Sequence, residues 1–141
     1  HHATSSGGGS LPAFRGLVAL APATDLRAIG SGSPDHALVK LLGGQPADRS
    51  DVYAAASPLE LLPIGLPQLV VHGTSDRTVP HAMSVAYVGA ARAAGDRVEL
   101  VSIDGADHLD LWNPASAAFP QVLAAATSFL ESVTAGAATR A

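Results

Sequence analysis

At 141 residues and 48% hydrophobic, the chain is long enough for one domain with its own core and too short for two. Its formal net charge is −4 and no basic cluster occurs, which argues against nucleic acid or an anionic membrane as a partner. There is no cysteine, so disulfides and thiolate metal sites are excluded, and no apolar run approaches about 20 residues, so no membrane span is predicted.

Residues 1–12 (HHATSSGGGSLP) have the Gly/Ser-rich composition of a flexible segment. Gly16 to Ala21 (GLVALA) is apolar on both faces and reads as a central strand of a covered sheet. Asp25, in the loop that follows, reads as a helix cap in preference to a pocket wall or an acid. Ser33-Pro34 predicts a helix start and Gly43-Gly44 its stop near Leu42; Gln45 to Ala56, with Tyr53, reads as irregular. Ser57-Pro58-Leu59-Glu60 has the pattern of a capping box and predicts another helix start.

Leu69-Val70-Val71 is a second apolar run, opened by Pro67 and closed by His72-Gly73-Thr74-Ser75-Asp76-Arg77, which reads as a buried parallel strand leaving a sheet. After Pro80 a helix is predicted to about Ala94. Its apolar stripe holds Met83, Ala86, Tyr87, Ala90, Ala91 and Ala94, and Gly95 ends it. Val98 to Ile103 reads as a third strand, less buried because of Glu99 and Ser102, and Asp104-Gly105-Ala106-Asp107-His108 follows it. Asn113-Pro114 predicts the start of the last helix, which carries Ala118, Val122, Phe129, Leu130 and Val133; residues 135–141 read as a fraying tail. Right-handed crossovers make the three strands parallel, so the predicted class is α/β with flanking helices.

An Asp after one strand and a His after the next are the acid and base of a nucleophile–His–acid triad in one of its chain orders. In open α/β sheets chemistry gathers at the carboxyl ends of strands, where Asp76 and His108 both fall. HGTSDRTVP followed by DGADHLD resembles the C-terminal part of an α/β-hydrolase of the esterase/lipase type, over about Gly16 to Val133. The resemblance implies that residues 13–134 are the C-terminal portion of one such domain, with Asp76 as acid and His108 as base. No Gly-x-Ser-x-Gly occurs in the chain, so the nucleophile elbow and the oxyanion loop are expected upstream of residue 1.

The expected function is therefore part of a serine hydrolase acting on carboxylic esters or small amides. It needs no cofactor, and this chain alone is expected to be inactive. The expected partners are a small ester or amide substrate, the missing N-terminal part of the same domain, and a second copy through the open strand edge. A cytoplasmic location is favoured. A non-catalytic α/β module for binding or assembly is the alternative. A metal site on His72, Asp76 and His108 ranks below both, because the spacing matches no compact ligand pattern. Asp107 and Asp110 rank below Asp76 as partners of His108. His72 reads as buried support with a ring hydrogen bond, Arg77 as paired or solvated, and Trp112 as the wall of an acyl or aromatic pocket or as a core or helix-entry anchor.

Overall fold

The computed structural model describes residues 14–138, so the flexible segment expected over residues 1–12 lies outside the described residues. Three strands, β1 (Leu17–Leu20), β2 (Gln68–Gly73) and β3 (Val98–Ile103), form one parallel sheet in the order β1-β2-β3. β2 is buried at every residue, as expected of a strand paired on both edges and covered on both faces. Its alternation splits the core in two. Leu69 and Val71 join Ile103, Leu111, Val122 and Phe129 beneath α5 (Phe119–Ala138). Val70 joins Tyr87, Val88, Ala91 and Val98 beneath α4 (His81–Ala93).

Among the described residues β2, and not β1, is therefore the central strand. β1 pairs with β2 alone, and Leu17 and Val18 are 41% and 37% exposed. The double-sided apolar pattern of β1 predicts a central place in a larger sheet, and the described residues pair it on one edge only. Among the described residues β3 pairs only with β2, and it exposes Glu99 and Ser102, matching its edge character.

Three short helices lie between β1 and β2. In α1 (Leu26–Gly30) Asp25 is the cap, its carboxylate accepting from Ala28 N–H at 3.0 Å, so the cap reading holds. α2 (Ala37–Leu42) starts later than Ser33-Pro34 predicts: His36 caps it by accepting from Leu38 N–H through Nδ1. Gly43 then ends it with φ 77°, a left-handed conformation that favours glycine. α3 (Ser50–Ala56) occupies the stretch read as irregular. It has no side-chain cap and is too short for periodicity to register, and it is held instead by Tyr53, which is fully buried and donates to Gly44 O at 3.1 Å.

The predicted capping box is also corrected. Ser57 ends α3, and 58–61 form turns. The Ser57 hydroxyl donates to Thr24 O and accepts from Leu26 N–H, while Glu60 pairs with Arg27; tertiary partners take the groups that a helix start would have used. α5 starts at Phe119 rather than Asn113, because Ser116 Oγ accepts from Phe119 N–H and Pro120 sits in the first turn, where its missing N–H costs nothing. The tail expected from residue 135 continues instead as helix to Ala138, in keeping with the helix preference of its alanines.

Candidate active site

Gly73 and Ile103 are partners in register, so the loops after β2 and β3 leave the same end of the sheet side by side. They are laced together. Thr74 N–H donates to Ile103 O and Ser75 N–H to Ala106 O, each at 3.0 Å. Thr74 Oγ1 donates to Asp104 at 3.1 Å and accepts from Gly105 N–H at 2.9 Å. Gly73 makes this approach possible: a Cβ there would lie 2.7 Å from the carbonyl carbon of Ala106 and closer still to its oxygen. The requirement is one of space, since φ at Gly73 is not positive.

This lacing brings Asp76 to His108. The Asp76 carboxylate has no exposed side-chain surface and accepts from His108 Nδ1 at 2.7 Å through Oδ2. Its Oδ1 accepts from the N–H groups of Thr78 and Val79 at 2.8 and 2.9 Å. Burial alone pushes the Asp76 carboxyl up, but the hydrogen bonds from His108, Val79 and Thr78 outweigh it and hold the group below its usual value. Because a carboxylate only accepts, Nδ1 of His108 carries the hydrogen, and in the neutral ring Nε2 then presents its lone pair. Nε2 has no hydrogen-bond partner among the described residues, and the His108 side chain is 27% exposed. It lines an open cleft of about 410 Å³ with Ser75, Arg77, Thr78, Gly105, Asp107 and Leu109.

Asp107 and Asp110 do not hold His108. Asp107 accepts from the N–H groups of Leu109 and Asp110, and Asp110 accepts from Asp107 N–H, so both carboxylates shape the loop. Trp112 stands after that loop and is 55% exposed, which removes the core-anchor reading. His72 is wholly buried with both ring nitrogens engaged, at 2.7 Å from Ser84 Oγ and 3.0 Å from Val79 O. Among the described residues no group of three or more His, Cys, Asp or Glu is arranged to hold a metal ion. No helix among them is long and apolar enough to cross a membrane.

Sequence reading missed Gly73 as the point of loop contact and Ser84 as a buried polar residue. The predicted α4 stripe is rotated by about one residue: Ser84 and Val88 face inward, while Ala86 and Ala94 are exposed. A serine three residues into a helix, with a His twelve residues before it, carried no legible signal without the fold.

A three-stranded parallel sheet with an Asp–His pair at its carboxyl end matches part of an α/β-hydrolase fold, as the similar esterase structures below bear out. Residues 10–137 match the Prolyl oligopeptidase family, and the chain belongs to that family. Among solved structures it is similar to esterase 2 of Thermogutta terrifontis. The form phosphoramylated by tabun is 28% identical with a TM-score of 0.64, over 84% of this chain and 41% of that one. The butyrate-bound form is 28% identical with a TM-score of 0.65, over 84% and 44%. The propionate-bound form is 26% identical with a TM-score of 0.63, over 84% and 43%. The chain thus spans about two fifths of the length of these relatives. No curated protein matches it.

Proposed function

We propose that this chain supplies the acid and the base of a serine hydrolase acting on carboxylic esters, with small amides as the neighbouring substrate class. The observation that carries the reading is the 2.7 Å hydrogen bond from His108 Nδ1 to the buried Asp76, which leaves Nε2 as a bare acceptor at an open cleft. The nucleophilic serine and the oxyanion donors come from sequence outside these residues. As the serine oxygen attacks the acyl carbon, Nε2 takes its proton and Asp76 stabilises the imidazolium. The tetrahedral intermediate then collapses: the bond to the leaving alkoxide breaks, and Nε2 returns the proton to it. Water hydrolyses the acyl-enzyme by the same relay in reverse, releasing the acid and the free serine. The butyrate- and propionate-bound forms of the similar esterase support a short-chain acyl ester as first substrate.

The test compares hydrolysis of p-nitrophenyl butyrate, and labelling by a fluorophosphonate, for the intact polypeptide and for residues 1–141 alone. The intact polypeptide is expected to turn over the ester, with His108→Ala lowering kcat by about 10³ or more. Residues 1–141 alone are expected to be inactive, because the oxyanion donors normally supply the largest electrostatic contribution. Undiminished turnover in His108→Ala would remove the base. Stoichiometric labelling of a serine within residues 1–141 would overturn the placement of the nucleophile.

A further inference from the structure

Among the described residues His72 is the one wholly buried histidine, it lies beside the acid, and its geometry fixes its hydrogens. Nε2 lies 3.0 Å from Val79 O and 3.2 Å from Asp76 Oδ2. Both are acceptors, so Nε2 must carry a hydrogen. Nδ1 lies 2.7 Å from Ser84 Oγ. In the neutral ring Nδ1 is bare, so the Ser84 hydroxyl donates to it.

We propose that Ser84 and His72 are a positioning pair for the acid: the Ser84 hydroxyl holds His72 as the neutral Nε2–H tautomer, which donates to Val79 O and so fixes the loop whose Val79 N–H holds Asp76, with the ring set against the oxygen that receives His108. The assignment rests on the hydrolase reading above for its catalytic consequence, but not for its geometry. Oδ2 of Asp76 faces two imidazoles, His108 at 2.7 Å and His72 at 3.2 Å. A neutral ring at the second place leaves the carboxylate's full charge to the base. A charged imidazolium there would form a competing ion pair and weaken the pull on His108. Burial favours the neutral form of His72, against the hydrogen bond to Val79 O and the attraction of Asp76. The other titratable ring against it is His81, packed edge-on at 5.5 Å and bonded through its own Nε2 to Ser102 Oγ at 2.8 Å. A serine on the buried face of α4 is otherwise out of place, and no other hydrogen bond of its side chain accounts for it.

Imidazole ¹H–¹⁵N spectra and steady-state kinetics of the intact polypeptide and its Ser84→Ala variant test this. The wild type is expected to show His72 as the neutral Nε2–H tautomer at neutral pH. Ser84→Ala should shift the His72 Nδ1 nitrogen and the His108 Nδ1 proton, and lower kcat about tenfold, the scale of one hydrogen bond, with KM little changed. A His72 that is doubly protonated or carries its hydrogen on Nδ1 overturns the pair. So does a Ser84→Ala variant whose His108 proton and kcat are both unmoved in an active enzyme, which leaves the hydrolase reading intact. Shifted resonances in a chain with no turnover at all support the pair and sink the hydrolase reading instead. Should Ser84→Ala fail to fold, His72→Phe and His72→Gln decide: Gln keeps an amide donor and is expected to recover rate lost in Phe, and equal losses overturn the pair.

Discussion

Gly73→Ala tests whether the close contact between the two loops places the pair. The added Cβ would sit 2.7 Å from the carbonyl carbon of Ala106, whereas ordinary contact begins at 3.4 Å, so the loops must part by roughly 0.7 Å or more. The obstacle is backbone, which cannot swing aside as a side chain would. Parting also breaks the Ser75 N–H to Ala106 O bond of 3.0 Å, and it lengthens the His108–Asp76 bond from 2.7 Å toward the limit of a useful hydrogen bond. Overpacking of this kind costs about 2 kcal/mol, or about 6 °C in Tm for a chain of this size. A misplacement approaching 1 Å costs a rate of about 10²-fold. Differential scanning calorimetry and ester hydrolysis by the intact polypeptide measure the two effects separately. A variant with wild-type Tm and wild-type kcat would refute the reasoning, because the loops would then have room the structure denies them.

Three further outcomes are expected. The His72 pKa is held low by burial, so its contribution to stability is complete above about pH 6.5 and is lost as the pH falls from there toward the lower folded value. The Asp76 pKa is also held low, where burial opposes and the bonds from His108, Val79 and Thr78 prevail, so its contribution is present above about pH 4 and is lost as the pH falls through the folded value. Urea unfolding across this range should find the upper slope flattened in His72→Gln and the lower one in Asp76→Asn; unaltered slopes in both would contradict the assignment. Asp96 is buried and accepts from Ile64 N–H and Gly65 N–H, each at 2.8 Å, and from Gln68 Nε2 at 3.1 Å, so Asp96→Ala should cost about 3 kcal/mol in urea unfolding, and a loss below about 1 kcal/mol would count against it. Finally, the open apolar edge at Leu17 and Val18 should make residues 1–141 self-associate when produced alone, with Val18→Lys shifting sedimentation toward monomer; a wild-type monomer at every concentration would argue otherwise.

Local pattern alone determined the three strands, the helix after Pro80 and the cap at Asp25, and together with the family resemblance it singled out Asp76 and His108. Each rests on a short-range physical cause: an apolar run long enough to be a buried strand, a carboxylate one turn from free N–H groups, and strand ends that gather polar residues. The 2.7 Å meeting of the pair follows from two loops leaving adjacent parallel strands, so it too was legible. What tertiary structure alone decided is where partners are distant in sequence. Ser57 reads as a helix cap until Thr24 and Leu26 claim its hydroxyl. Residues 50–56 read as irregular until Tyr53 finds its buried place. Leu130 reads as core but is 56% exposed, while Ser84, polar by type, is buried because His72 waits across the sheet–helix interface for its hydroxyl. Side-chain type and spacing specify what a residue offers; which offer is taken depends on what the fold brings within about 3 Å of it.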